Sequence, residues 1–486
     1  MRMRRCGVVL ASAVGFFLSG CMVGPRYVKP AVPAAPNYLE TEERKEGEGW
    51  KVAQPDDDLI RGKWWELYGD RTLNEIEEQV DSSNQDLKIA EANLRQARAA
   101  IRFNRASQAP TIGTSPGISD IRDSANQPYF PSSSVNNGSG DFVLPFDLSY
   151  EVDLWGRVRR SVAAAKQQAQ ASAADLQTAR LSLHAEVAVD YFEVRSADAQ
   201  ERLLNDTVKA YTEALRLTQN RFEGGAAPKS DVAQAQTQLK AAQVLASDIT
   251  VQRAQYEHAL AILIGKPPAA FHLALSPLNL VAPVLPSVPV TLPARLLERR
   301  PDIAAAERRM ASANEQVGIA KAAYYPTLNL AASAGLEGSS ILNWLTWPSR
   351  FWAVGPQLSE TLFDGGRHRA TSESARAGYD AAVAGYRQTV LDAFQQVEDN
   401  LVVLRVLSTE SAQQQQATSA AEESLKLFQN RYAGGVDTYL QVVTSQTTAL
   451  TNERNDIDIL RRRLEANVLL IKAVGGGWDV SNLPPS

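Results

Sequence analysis

The sequence is poor in the residues that build small chemical sites. Its 486 residues include two cysteines, Cys6 and Cys21, and four histidines, His184, His258, His272 and His368. Two cysteines near one end of the chain exclude a disulfide framework and a cysteine-based zinc site. The histidines are far apart in sequence. His184 and His258 fall inside helical patterns, where a packed side chain is the plainer role than a ligand or a base. No Gly-rich phosphate loop, His-Glu-x-x-His pair or nucleophile elbow is present, so no constellation supports an enzyme. Charge of one sign is not concentrated. The net charge is −5 and the basic residues are spread out, which argues against nucleic acid as a partner.

The apolar run at 8–18 is too short to span a bilayer as a mature helix. Arg2, Arg4 and Arg5 precede it, so 1–20 reads as a secretory signal. It ends in Leu18, Ser19, Gly20, Cys21, the bacterial lipobox. A thiol there accepts a diacylglycerol, and the new N-terminus is then acylated. Several acyl chains give a stable anchor where one would not. An ordinary cleavage site beside an incidental cysteine is the alternative. Met22 stands where an Asp would retain the protein in the inner membrane, which favours the outer one. No other cofactor is implied.

What the chain does have is a repeat. Gln219, Asn220, Arg221, Phe222, Glu223, Gly224, Gly225 return as Gln429, Asn430, Arg431, Tyr432, Ala433, Gly434, Gly435, about 210 residues later. Leu154, Trp155, Gly156, Arg157 correspond to Leu362, Phe363, Asp364, Gly365, Gly366, Arg367. Ala109, Pro110, Thr111 match Tyr325, Pro326, Thr327, and Gln85, Asp86, Leu87 match Pro301, Asp302, Ile303, both at an offset of about 216. Four matches in one order read as two duplicated halves. Each Gly pair stops a long helical pattern and a second helix follows, so each copy is the tip of a helical hairpin.

In chain order, 21–71 reads as an extended segment rich in proline and charge. The first repeat is 72–266. A helix from about 72 to 107 carries one apolar stripe, Leu73, Ile76, Val80, Leu87, Leu94, Ala97, Ile101. Two strands follow, a weak one at 111–122 and a strong one at 140–154, separated by a polar loop. In the second, Phe142, Leu144, Phe146, Leu148, Tyr150, Val152 and Leu154 alternate with a mostly polar face of Asp141, Asp147, Ser149, Glu151 and Asp153. A soluble sheet could give this pattern, but about 14 residues is long enough to cross a bilayer when tilted. A helix over 157–222, about 66 residues and roughly 100 Å long, reaches the first tip. A plain two-stranded coiled coil is the alternative for this segment. The return helix is 230–264, with Ser230 as N-cap. A Pro-rich connector, 267–300, leads to the second repeat, 301–474. It holds a helix, strands 327–338 and 351–363, a long helix 367–432 and its return 438–474. Trp344, Trp347 and Trp352 suit an interfacial belt. The tail is 475–486.

Four strands alone leave two unpaired edges, which lipid does not tolerate. If they cross a membrane they must close with other copies into a symmetric oligomer. A barrel with helices running from one rim is a conduit, and its polar strand face would line water.

Further residues carry a resemblance: Cys21 with Gly24, Pro25, Tyr27 and Pro30; Trp64 and Trp65; Arg300, Pro301, Asp302, Ile303 with Ala306 and Glu307; Phe363 to Arg367; Arg431, Tyr432 and Gly435; Gly475, Gly476, Gly477, Trp478. The sequence resembles the outer membrane factors, the TolC-like channels of tripartite efflux pumps, in the OprM/NodT lipoprotein branch. The resemblance implies a mostly α fold with a membrane β-barrel. It implies a homotrimer whose four strands per chain form a twelve-stranded barrel, and hairpins that form a periplasmic α-barrel. It also implies small-molecule passage and a periplasmic adaptor protein at the tips, with an inner-membrane transporter engaged indirectly. The tip residues that would meet the adaptor are Arg221, Gly224, Gly225, Arg431, Gly434 and Gly435.

The chain departs from the family at the gate. Relatives carry acidic residues just after the second tip. Counted from Arg431 and Tyr432, the matching positions here are the neutral Gln441 and Thr444. Asp437 lies nearer the turn and Asp231 in the corresponding part of the first hairpin. Either acid could form a shifted gate or simply stabilise a helix start at the positive dipole end. An outer channel for protein secretion and a pore-free periplasmic coiled-coil scaffold are the competing readings.

Overall fold

The computed structural model describes residues 22–32, 38–39, 50–52, 62–122, 124, 138–280, 285–290 and 297–483. The leader, Cys21 and nearly all of the loop expected between the first two strands lie outside the described residues.

After strand β1 (Trp50–Val52) and a 3-10 turn at Trp64–Tyr68 come helices α1 (Arg71–Ser83) and α2 (Gln85–Ala106). The sequence predicts one helix here, and the structure breaks it at Asn84. That residue is extended, its Oδ1 accepts from Leu87 N at 2.9 Å, and its Nδ2 donates to Leu263 O at 2.7 Å. It caps α2 and fixes it to another helix at once.

The first expected strand is two short ones, β2 (Thr111–Thr114) and β3 (Gly117–Ile121). Pro116 lies between them and has no N–H for the ladder. Both pair with β4 (Ser139–Val152), a strand that ends before Leu154. Helices α3 (Arg157–Glu223) and α4 (Lys229–Leu263) form the first hairpin. Pro228 rather than Ser230 stands at the N-cap of α4. Proline's fixed φ suits the entry to a helix. The connector holds β5 (Val288–Val290), which pairs in parallel with β1. So the segment expected to be merely extended and the Pro-rich connector are joined to each other.

The second half runs α5 (Pro301–Ala322), β6 (Thr327–Gly338), β7 (Arg350–Ser359), α6 (Arg367–Ala433) and α7 (Tyr439–Ala473). Strand β7 stops short of its expected end, and Leu362 and Phe363 stand beyond it in solvent. The elements of the halves match in length: 67 residues for α3 and α6, 35 for α4 and α7, 22 for α2 and α5.

Strands lie in the order β2/β3, β4, β6, β7, all antiparallel, with β2/β3 and β7 at open edges. The helices beside the sheet follow the same order, α2, α3, α5, α6. At the far end α4 packs on α3 and α7 packs on α6 and α3. Between the sheet and the tips lies the main core. Trp64, Tyr68, Leu73, Val187, Tyr191, Tyr386, Val390, Val468 and Ile471 are all buried there.

Buried polar groups fasten this belt. Tyr68 OH donates to Asn467 Oδ1 at 2.7 Å, and Asn467 Nδ2 donates to Pro286 O at 3.0 Å. Arg253 and Arg195 converge on Asp198 at 2.7 and 3.1 Å and donate to Leu273 O and Ala274 O of the connector. Paired and hydrogen-bonded in this way, such charges are tolerated in a core.

Candidate functional site

Two surfaces stand out, the sheet and the tips. Cross-strand register puts Ile112, Phe146, Leu148, Tyr150, Leu330, Ala332, Trp352, Val354 and Leu358 on one face. Asp147, Ser149, Glu151, Asn329, Ser333 and Gln357 fall on the other. The apolar face is uncovered: Ile112, Trp352, Val354 and Leu358 are 71, 74, 72 and 67 % exposed. A soluble monomer rarely leaves so many large apolar side chains together in water. Trp347 is exposed as well, and Trp344 packs on Phe142 beyond the strand ends. Among the described residues no helix is long and apolar enough to cross a membrane.

At the junction of sheet and helices the N-terminal segment is clamped. Arg160, almost fully buried, donates to Val23 O at 2.7 Å and Pro25 O at 3.3 Å and pairs with Glu315 at 2.7 Å. Val23 N donates to Trp155 O at 3.1 Å. Gly24 has φ +111°, and a Cβ there would sit 2.7 Å from Gly318 Cα. The sequence reading missed this clamp, because an arginine in a helix has no signature that tells a core ion pair from a solvated face.

Both tips turn through one structure. Ala226 N donates to Arg221 O and Gly225 N to Phe222 O; Val436 N donates to Arg431 O and Gly435 N to Tyr432 O. This is the Schellman motif, which satisfies the last carbonyls of each helix. Gly225 and Gly435 take φ +72° and +75°, where a side chain would be strained. Gly224 and Gly434 precede them and are exposed.

The tips are also joined to each other. Arg221 donates to Tyr432 O at 2.6 Å, and its guanidinium lies 4.5 Å from the centre of the Tyr432 ring. Tyr432 is buried against Tyr439, Ala235 and Val442. Burial and the neighbouring Tyr432 push the Tyr439 hydroxyl up to about 12. Tyr439, absent from the residues predicted for the site, was visible as an aromatic just past the Gly pair. Asp437 forms an ion pair with Arg431 across its own turn. Asp231 sits in the first turn of α4 beside Ser230. Gln441 and Thr444 are exposed, and Thr444 Oγ1 donates to Leu440 O within its helix. Among the described residues no His, Cys, Asp and Glu cluster could hold a metal.

The model of the family described as outer membrane efflux protein matches residues 78–266 and 292–476. The chain belongs to this outer membrane efflux protein family. It is 30 % identical over 472 residues to the outer membrane protein OprJ of Pseudomonas aeruginosa, covering 97 % of this chain and 96 % of that one. It is 30 % identical over 468 residues to the toluene efflux pump outer membrane protein TtgI of Pseudomonas putida, covering 96 and 97 %. Among solved structures, the outer-membrane channel OprN matches at 28 % identity with TM-score 0.86, covering 94 % of this chain and 100 % of that one. The open state of the Neisseria gonorrhoeae MtrE outer membrane channel matches at 26 % with TM-score 0.81, covering 95 and 99 %.

This efflux protein is thus an outer-membrane channel component of an efflux pump with a TolC-like fold. Its family is one of channels rather than of enzymes.

Proposed function

We propose that three copies close into one conduit. Each sheet supplies four strand positions, so three copies supply twelve. The apolar face meets lipid, the polar face meets water, and each open edge pairs with the next copy. The helices below continue the tube through the periplasm. The equal element lengths support descent of the two halves from one duplicated unit. The observation that carries the reading is the uncovered apolar face of a sheet with two free edges, which a pore-free scaffold has no reason to keep. The conduit passes small molecules delivered by an inner-membrane transporter through an adaptor that meets the tips at Arg221, Arg431 and the Gly pairs. In planar bilayers the purified chain is expected to give discrete conductance steps. A chain that inserts and never conducts would overturn the reading.

Cys21 carries the lipid in this account. Supporting it, Met22, the first described residue, lies against Gly156, where the sheet ends and α3 begins. Labelled palmitate should enter the wild type and not Cys21→Ser. Equal labelling would sink the assignment, while the barrel should keep the variant in the membrane.

The gate is neutral at Gln441 and Thr444, because the nearest acid, Asp437, is occupied by Arg431. Three carboxylates in a narrow mouth concentrate cations through their field. Wild-type channels should therefore be blocked weakly by a trivalent cation added from the periplasmic side, and Thr444→Asp should strengthen the block. Tight block of the wild type relieved by Asp437→Asn would place the gate at Asp437.

A further inference from the structure

The repeat lays α2 on α5, 22 residues each, at an offset of about 216. Their core-facing stripes coincide: Leu87, Leu94 and Ile101 stand where α5 has Ile303, Met310 and Val317. Their outer faces differ. On α5 the N-terminal segment covers that face. Asn314 Nδ2 donates to Pro25 O at 3.4 Å, Gly318 lies against Gly24, and Glu307 pairs with Lys29 at 3.2 Å. The same turns of α2 carry Arg98 in place of Asn314 and Arg102 in place of Gly318, and Arg105 follows in place of Lys321. Spaced by four and three, these arginines form one file along the helix, and all three are exposed. Among the described residues none of them has an ion pair.

The N-terminal segment follows the acylated Cys21 of the reading above, so the side it lies on is the lipid side of the conduit. Helices α2 and α5 both run toward the sheet, and each packs on the long helix next in the row, α3 and α6. The arginine file therefore faces outward too. Its height suits a membrane surface. Arg105 is one residue from the end of α2, and Arg102 and Arg98 lie about 6 and 12 Å below that end. The exposed apolar face starts at Ile112, with no charged residue between it and Arg105. A headgroup layer is about 5–8 Å deep on each side of the hydrocarbon. A guanidinium on its flexible stem reaches it from a turn or two below.

The surroundings do not neutralise the file. On α2 the nearest acid is Glu91, seven residues or about 10 Å further from the sheet than Arg98. Beside α3, Glu151 holds Arg157 and Asp153 holds Arg159, while Lys166 has no ion pair. Further along the sheet Glu315 holds Arg160, Glu373 holds Arg369, and Asp364 accepts from the Gly366 and His368 amides. Among the described residues at this level Glu360 is the free acid, against Lys321, Arg367 and Arg376 as further free bases. So in a chain of net charge −5 this level carries an excess of positive charge.

We infer that Arg98, Arg102 and Arg105 hold anionic phospholipid headgroups at the periplasmic surface of the membrane. The surface rests on the lipid-facing sheet proposed above and adds a preference for one class of lipid. Guanidinium forks meet phosphate oxygens in pairs, and a headgroup with net negative charge is drawn to the file. A zwitterionic headgroup sets its own cation against the arginines. The two halves are thus held at the membrane differently, the second by the N-terminal segment over α5 and the first by lipid over α2.

The test is lipid binding to the full chain in detergent, read with fluorescent phosphatidylglycerol and phosphatidylcholine. The wild type should bind phosphatidylglycerol about tenfold more tightly than phosphatidylcholine, and high salt should shrink the difference. Arg98→Gln with Arg102→Gln and Arg105→Gln should erase that preference and leave phosphatidylcholine binding as it was. The three lysine replacements should keep part of it, since charge survives without the fork. Removing three charges toward the tips, Lys229→Gln with Lys240→Gln and Lys426→Gln, should change nothing. A preference that survives the arginine variant, or falls equally in the tip variant, overturns the surface. Inorganic phosphate that displaces the lipid at equal concentration would make this a free-anion site and overturn it as well. Wild-type channels that insert and conduct without the preference overturn the surface and leave the conduit standing. A chain that enters no bilayer removes the lipid-facing sheet and this surface together.

Discussion

At the scale of single residues, the tips and the belt show two uses of charge. Arg221 reaches across to the second tip, where its fork meets a carbonyl and its face meets the Tyr432 ring. Removing it strips both contacts, on the order of 1–3 kcal/mol at the tip. Arg221→Ala should therefore raise the conductance or open time of reconstituted channels, and Arg221→Lys should sit between, since Lys keeps the charge without the planar fork. Unchanged single-channel records in both variants would mean that the Arg221–Tyr432 contact does not hold the channel closed.

In the belt, His184 Nδ1 lies 2.7 Å from Glu77 Oε2 while Trp65 stacks on the imidazole at 4.3 Å. Burial raises the Glu77 carboxyl to about 7. Burial alone would lower His184, but the carboxylates of Asp81, 3.5 Å from Nε2, and of the hydrogen-bonded Glu77 outweigh it and raise the imidazole. The pair titrates as a unit that keeps a proton in the folded state longer than in the unfolded chain. Its contribution is fully present only below the ordinary glutamate range and is lost as pH rises from there through about 7 at Glu77 and on through the raised histidine value. Thermal stability should therefore fall as pH rises from the ordinary glutamate range through about 7, and His184→Gln should change that slope. The same slope in the variant would assign it to other groups.

At the scale of elements, the long hairpins were legible because their period is unbroken by proline and each ends in a Gly pair. The alternation of β4 was legible for a similar reason, since one long strand shows its two faces in sequence. The break at Asn84 was hidden because the apolar stripe of α1 continues into α2, although an Asn followed by helix formers is a capping signal. Asn84→Ala should remove the α2 cap and its bond to Leu263, costing about 2–3 kcal/mol in denaturant or thermal melts. The pairing of β1 with β5, the connector held by Arg253 and Arg195, and the Arg160 clamp depend on distant segments. No local pattern announces them. Arg160→Met should free the N-terminal segment, so that trypsin cuts after Arg26 several-fold faster than in the wild type. Equal cutting rates would mean that the backbone contacts at Trp155 and Gly318 suffice.

At the scale of the whole molecule, a single chain leaves its apolar sheet face, both sheet edges and both ends of its helix row unsatisfied. The sequence implied the unpaired edges through the number of strands, and its repeated motifs read as two duplicated halves. It did not show that sheet and helices share one order, because that requires seeing which helices touch. In the ring proposed here the open edges meet another copy and the apolar face meets lipid. The particle mass in detergent tests this most directly, by light scattering corrected for bound detergent on the purified chain. The account predicts three times the mass of the mature chain and conductance only from that species. A monodisperse monomer that still conducts ions would contradict it.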